Sequence, residues 1–446
     1  MISALATVAA IRAGGTTALT EADAAIARIQ AGDGAINAVV LRDFDRARAA
    51  ARAFDEGGNK ALALAGVPMT VKESFDVAGL PTSWGFAEHA DHVAQTDALA
   101  VQRLKAAGAI ILGKTNIPVG LADLQANNPN YGLTRNPRDP DRVSGGSSGG
   151  SAASLAAGFV PIELGSDIGG SIRVPAAFCG VWGLKPTYTA LNPDGHYFPR
   201  TDNARVALSV IGPMARDAAD LAVLLDVLSD VSMPRASAKP VERLRLLVLT
   251  GHPMASTQTA VAAAIEHLAV ALAAAGATVE RDSELLPDLD KQHRAYWRML
   301  NIAMTRGVPL DGSAPAPLAE WFALSDEQAR NTRDWARLFT RYDAVIAPAL
   351  GATAFRHDDT PLAARILDID GEATPFAHQF VFPGLATFPM LPAVSVPVGV
   401  DPDGMPIGVQ VITDYNRDHD AIRIAGQCHQ LVGGAAPPPI AEASSR

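Results

Sequence analysis

Apolar positions Ala24, Ala25, Ile26 and Ile29 recur at helical spacing over 21–31, with Thr20 placed to cap them, and 43–54 repeats the pattern. The chain is therefore expected to open with helices. The stretch 66–72 reads differently. Val67, Thr70 and Val71 are β-branched and the run starts at a glycine, which predicts a strand that delivers Lys72 at its end. An amphipathic pattern over 97–107 predicts a helix, and the unbroken apolar run over 109–112 is that of a strand covered on both faces. Further strands are predicted over 244–249, 343–347, 393–398 and 407–412, with an Ala-rich helix over 261–275. Such alternation predicts an α/β fold with a mostly parallel or mixed sheet. No internal repeat emerges, and only 433–439 has a low-complexity character. The expected organisation is one domain over 1–436 followed by a flexible tail over 437–446.

Composition narrows the class. At 446 residues, 48% hydrophobic and 19% charged, the chain has too much apolar material to stay disordered and enough to bury a large core. Its formal charge of −10, with no run rich in Lys or Arg, argues against a grip on nucleic-acid backbone or an anionic membrane, and leaves a small molecule as the expected partner. Cys179 and Cys428 are too few for a disulfide framework, which suggests a reducing compartment. No apolar stretch approaches the roughly 20 residues that span a bilayer, and Met1 to Leu5 lacks a basic leader pattern. A soluble, cytoplasmic protein is expected.

The chemistry concentrates between Asp141 and Arg173. Ser144-Gly145-Gly146-Ser147-Ser148-Gly149-Gly150-Ser151 is followed by Gly165-Ser166-Asp167-Ile168-Gly169-Gly170-Ser171-Ile172-Arg173, and a small-residue segment over 152–158 between them can pack as a helix. Glycine lets backbone amides point inward and lets a bound group approach, so either loop can stabilise an anion. Several readings compete. Flexible linkers fit the Gly/Ser composition, but the second loop runs on into Val174-Pro175-Ala176 and the surroundings are apolar. A phosphate cradle needs Gly-Lys-Ser/Thr at the end of the first loop, which instead ends Gly149-Gly150-Ser151. Gly145 to Gly149 matches a G-x-S-x-G nucleophile elbow, yet the elbow requires a strand before it and Asn136 to Arg142 is broken by Pro137 and Pro140. The Ser-x-x-Lys pattern of β-lactamases is absent from the sequence.

Both loops taken together with Lys72 resemble the amidase signature family. The resemblance rests on Gly66-Val67-Pro68 leading to Lys72, Gly113-Lys114-Thr115-Asn116, the two serine-bearing loops, Pro175-Ala176-Ala177-Phe178-Cys179-Gly180 and Gly183-Leu184-Lys185-Pro186-Thr187. Near the C-terminus Pro392 to Gly399 and Gly404 to Gln410 are also similar, so nearly the whole chain is covered.

That resemblance implies a three-layer α/β/α sandwich around a large mixed, twisted sheet and an amidohydrolase that cleaves a carboxylic amide to acid plus ammonia or amine. It implies Ser171 as nucleophile, Ser147 as bridging serine after a cis peptide, and Lys72 as base. It also implies an oxyanion hole from the backbone N–H groups of Ile168, Gly169, Gly170 and Ser171, with Asp167 and Arg173 bracing the loop. No cofactor or metal is called for, and a homodimer is compatible with the pattern. The same motifs also permit a glutaminase-like component of a tRNA-dependent amidotransferase. Residue chemistry adds conditions. A serine hydroxyl attacks only when a base takes its proton, and a lysine serves as base only if burial lowers its pKa from about 10.4. The apolar run over 67–71 suits that burial. Ser147, both donor and acceptor, can pass the proton in either direction.

The remaining candidates read more plainly. His89 and His92 lack neighbouring Cys or carboxylate partners of metal-site spacing. Cys179, between Phe178 and Gly180, reads as a packing residue. Trp182, Phe382 and Phe388 are core or pocket wall. Val119 stands where the family commonly has Glu and Arg138 where it has Trp, and both positions are candidates for the pocket lining. The stretch 285–343 shows little family pattern and is expected to contribute to the acyl-side wall.

Overall fold

In the computed structural model, residues 3–199, 201, 204–235, 238–309 and 312–433 are described, so the tail expected over 437–446 lies outside the described residues. Its strands in chain order are β1 (Val39–Arg42), β2 (Pro68–Lys72), β3 (Ile110–Thr115), β4 (Asn127–Asn128), β5 (Gly132–Leu133), β6 (Ile162–Asp167), β7 (Trp182–Lys185), β8 (Val210–Ala215), β9 (Arg245–Val248), β10 (Thr278–Glu280), β11 (Ala344–Pro348), β12 (Ile366–Ile369), β13 (Glu372–Pro375), β14 (Ala393–Val400) and β15 (Pro406–Ile412). Eleven of these form one sheet in the order β1-β3-β2-β6-β8-β7-β14-β15-β11-β9-β10. β2 runs parallel to β3 and β6, and β9 to β10 and β11, while the other pairings are antiparallel, so the sheet is mixed.

Strands with alternate faces buried in two different cores explain the layering. In β3, Ile110 and Leu112 pack with the helices Ala18–Ile36 and Phe44–Gly57, while Ile111 joins the core containing the helix Leu99–Ala106. In β9, Leu246 and Val248 face the helix Thr259–Ala274, while Leu247 packs with Trp335 and Leu338 on the other side. Each such side chain stabilises the fold by roughly 1.5–3 kcal/mol on full burial. The result is the three-layer α/β/α sandwich that the motifs implied.

Local signals shift by a few residues. The first predicted helix is preceded by another, Ala4–Arg12, and its own cap is Thr17, not Thr20: Thr20 lies in the first turn and donates its N–H to Thr17 Oγ1 at 3.1 Å. The strand predicted over 109–112 extends through Thr115.

One pairing matters most for the site. β2 lies parallel to β6 with Thr70 opposite Glu163 and Val71 opposite Leu164. Parallel neighbours end at the same edge of a sheet, so Lys72 emerges beside Ser166 and Asp167.

Candidate active site

Lys72 ends β2 inside the protein, with no solvent exposure. Its Nζ lies 2.6 Å from Ser147 Oγ and 2.9 Å from Ser166 Oγ, with the Ser166 carbonyl at 3.5 Å. Burial pushes the amine well below its ordinary pKa, opposed only by the negative charge of Asp167. A neutral amine has a lone pair, so it can accept the proton that Ser147 carries. Ser166 was not singled out from the sequence, although it sits in the same loop motif as Asp167.

Ser147 is reached through a cis Gly146–Ser147 peptide and is 1% exposed. A Cβ at Gly146 would fall 2.5 Å from the Asp123 carbonyl and 2.7 Å from the Gln125 amide nitrogen, so only glycine lets the 123–125 backbone press against this turn. Next along the chain, Ser148 donates its N–H to the Ser171 carbonyl at 3.1 Å and its Oγ lies 3.3 Å from the Ser166 carbonyl. These contacts join the two serine-bearing loops. The helix predicted over 152–158 begins earlier, at Gly149–Ala156, because Gly149 and Gly150 already enter its first turn.

The second loop is held by Asp167. Its Oδ1 accepts the Gly170 N–H at 2.9 Å and its Oδ2 the Ile172 N–H at 3.1 Å. Arg173 approaches with Nη2 at 2.9 Å from Oδ1 and Nε at 3.0 Å from Oδ2, and both side chains are buried. Burial alone would raise the Asp167 pKa, but the Arg173 guanidinium and the donated hydrogen bonds bring it down to about 2. The rest of the guanidinium bonds Gln410 Oε1, Thr387 Oγ1 and the Pro383 carbonyl. This is a buried ion pair that fixes a turn, not a surface contact. The Gly170 N–H, one of the four expected oxyanion donors, is thus committed to Asp167. Tyr296, unnoticed in the sequence, donates its hydroxyl to the Ile168 carbonyl at 3.0 Å and so ties this turn to the helix Leu289–Thr305.

Ser147, Ser166 and Ser171 line one narrow cavity. Ser171 is 5% exposed. Trp84, Leu121, Ile168, Phe198, Val206, Ser209 and Met304 also line the cavity, joined by His196. His196 accepts or donates at Nε2 with Ser74 Oγ, 3.0 Å away, and packs between Phe75 and Trp84. Burial lowers its pKa to about 3, so the ring is neutral at physiological pH. Met304 confirms a lining contribution from 285–343. Val119 and Arg138 are not in the wall; Gly120 and Leu121 contribute in that stretch. Trp182, Phe382 and Phe388 are buried in the core, and Cys179 is a buried free thiol pushed up in pKa by that burial.

The family described as Amidase matches residues 21–308 and 301–422. The chain is 35% identical over 442 residues to AtzE, the 1-carboxybiuret hydrolase component of Pseudomonas sp. (strain ADP), a match covering 90% of this chain and 92% of that protein. It is 32% identical over 480 residues to a component of the Glutamyl-tRNA(Gln) amidotransferase of Koribacter versatilis (strain Ellin345), covering 94% of this chain and 96% of that one. The solved structure of 6-aminohexanoate cyclic dimer hydrolase complexed with substrate superimposes with a TM-score of 0.83 at 28% identity, over 98% of each chain.

Proposed function

The chain belongs to the amidase family of amide-cleaving hydrolases, and from that premise we propose that it acts through an acyl-enzyme on Ser171, with Ser147 and Lys72 as the proton path. The observation that carries this is the 2.6 Å contact between a buried Lys72 amine and Ser147 Oγ, at the cavity that Ser171 shares.

Ser171 Oγ attacks the amide carbonyl as its proton passes to Ser147 and the Ser147 proton passes to Lys72 Nζ. The carbonyl oxygen, now negative, faces the N–H groups of Ile168, Gly169 and Ser171, each such donor being worth roughly 3 kcal/mol of barrier. Collapse breaks the C–N bond while the proton returns through Ser147 to the leaving nitrogen, which departs as ammonia or amine. Water then attacks the ester carbonyl as its proton passes through Ser147 to Lys72; collapse breaks the C–O bond to Ser171, the proton returns along the same path to Ser171 Oγ, and the carboxylic acid leaves. Ser166 holds the Lys72 amine on its line to Ser147. Replacing Ser171 by Ala is expected to abolish turnover of a responsive amide; normal turnover in that variant overturns the assignment.

The broader setting belongs to the same proposal. We read 1–436 as one domain, since a single sheet takes strands from Val39 to Ile412. A cytoplasmic location fits two free, buried cysteines, and no helix among the described residues is long and apolar enough to cross a membrane. A small-molecule amide is the expected partner, with a homodimer compatible. The likeness to an amidotransferase component supports a second reading, as a glutaminase. Copurification with a tRNA-binding partner favours it, whereas activity of the isolated chain on simple amides counts against it.

A further inference from the structure

We infer that the Ser171 site selects amides whose acyl group is slender, apolar and uncharged, and turns away acyl groups bearing a carboxylate or an ammonium, glutamine among them. The inference rests on the acyl-enzyme reading above and names its substrate class.

Three observations lead there. First, Ser171 shares its cavity with Trp84, Leu121, Phe198, Val206 and Met304, drawn from four separate segments of the chain, with the Ser209 hydroxyl as one further polar group in the lining. Trp84 and Phe198 stack with ring centroids 4.5 Å apart at 35°, which gives the wall a fixed aromatic surface. Second, no lysine or arginine among the described residues lines the cavity. His196, the one imidazole among the described lining residues, is neutral and already engaged with Ser74. Asp167, the one carboxylate among the described lining residues, has both oxygens occupied by Arg173 and backbone N–H groups. Third, the Lys72 amine is enclosed by Ser147 and Ser166, so it offers no cation to an incoming carboxylate.

Removing a charge from water without a partner is among the costliest events in binding. An acyl chain ending in a methyl group loses only water that an apolar wall holds weakly. One ending in a carboxylate must give up its hydration against Leu121, Val206 and Met304. A free amino acid carries both signs, and the wall matches neither. Slenderness follows from the same surroundings: the cavity is narrow, and Met304, with three rotatable bonds, is the wall residue best able to move aside.

The test uses the purified full-length chain and two alkyl fluorophosphonate probes of equal length, one ending in a methyl group and one in a carboxylate. Labelling of Ser171 is followed by intact mass and peptide mapping, with Ser171→Ala as control. The methyl-ended probe is expected to label at least about 100-fold faster, and Met304→Lys to speed the carboxylate probe by roughly tenfold while slowing the other. Equal rates for both probes, with labelling lost in Ser171→Ala, overturn the inference and leave the acyl-enzyme reading standing. Labelling that survives in Ser171→Ala, or none at all, overturns that reading and the inference with it. A parallel comparison of butyramide with succinamate and glutamine, read as ammonia release, is expected to rank butyramide first; a preference for either charged amide also overturns the inference.

Discussion

Arg173 meets Asp167 with two nitrogens on two oxygens, Nη2 at 2.9 Å and Nε at 3.0 Å, inside a core where neither side chain is more than 1% exposed. The same carboxylate holds the Gly170 and Ile172 amides on either side of Ser171, so the pair sets the turn that presents Ser171, the proposed nucleophile. Removing one partner of a buried pair leaves an uncompensated charge and costs about 3–5 kcal/mol. Arg173→Met is therefore expected to lower the urea unfolding free energy by that order and to reduce kcat in the protein that remains folded. Urea titration followed by circular dichroism checks the first part. A variant as stable as the parent would mean that the pair does not carry the turn.

Lys72 makes a prediction about pH. Its proton must leave before it can accept another, so kcat/KM should rise with pH through the Lys72 pKa and then level off. Burial holds that pKa well below the ordinary lysine value, which moves the rising limb down from the strongly alkaline range. Lys72→Met should remove the limb and cost roughly 10²–10⁴-fold, the usual range for a lost general base. A profile measured from pH 5 to 9 that is flat in the parent protein would argue against a lysine base.

Ser166 offers a finer check on the same amine. Its Oγ sits 2.9 Å from Lys72 Nζ, so Ser166→Ala removes one of the two hydroxyls that hold the nitrogen. A merely structural serine would change stability and leave the pH profile in place. If Ser166 positions the amine, the limb of kcat/KM should shift along the pH axis while KM stays near the parent value, and Ser166→Thr should restore it.

Much of this arrangement was legible in the sequence because it is local. A β-branched run after Gly66 predicted the strand that carries Lys72, and the two glycine-serine loops announced themselves by composition. The contacts that complete the site are not local. Tyr296 reaches Ile168 across 128 positions, and Arg173 reaches Gln410 across 237. No spacing rule links such residues, since their proximity is set by how helices pack on the sheet. The Gly170 N–H illustrates a related point: a motif gives the order of N–H groups but not which of them the neighbouring carboxylate takes. The cavity wall was only partly visible, because Trp84, Leu121, Phe198 and Met304 come from segments that share no periodicity.

Tyr296 lends itself to a direct substitution. Its hydroxyl donates to the Ile168 carbonyl, in a turn whose neighbouring amides are the proposed oxyanion donors. Tyr296→Phe keeps the ring, which is fully buried, and deletes the hydrogen bond. An unsatisfied buried acceptor costs about 1–3 kcal/mol. We expect a stability loss of that size and a fall in kcat larger than any change in KM, because the turn serves the transition state more than substrate binding. An unchanged kcat would show that the turn is held without Tyr296.

Glu163 carries the last prediction, since it is a buried acid that the proposed chemistry does not use. It lies on β6 opposite Thr70 with no solvent exposure. Thr70 Oγ1 donates to its Oε1 and the Leu164 N–H lies 3.2 Å from its Oε2; neither partner is a cation. Burial raises its pKa to about 8, against 4.5 for an ordinary glutamate, despite those hydrogen bonds. The folded state thus holds a proton that the unfolded state releases. A group raised in this way contributes its stability fully below the unfolded pKa and loses it as pH rises through the folded one. Stability should therefore decline between about pH 4.5 and 8 and stop declining from this source above that. Glu163→Gln keeps the shape and cannot ionise, so its melting temperature should fall less across the same window and exceed that of the parent at pH 8.5 by at least about 2 °C. Melting curves at pH 5, 7 and 8.5 decide the matter. Parallel curves for the two proteins would mean that Glu163 ionises in the fold as readily as in the open chain.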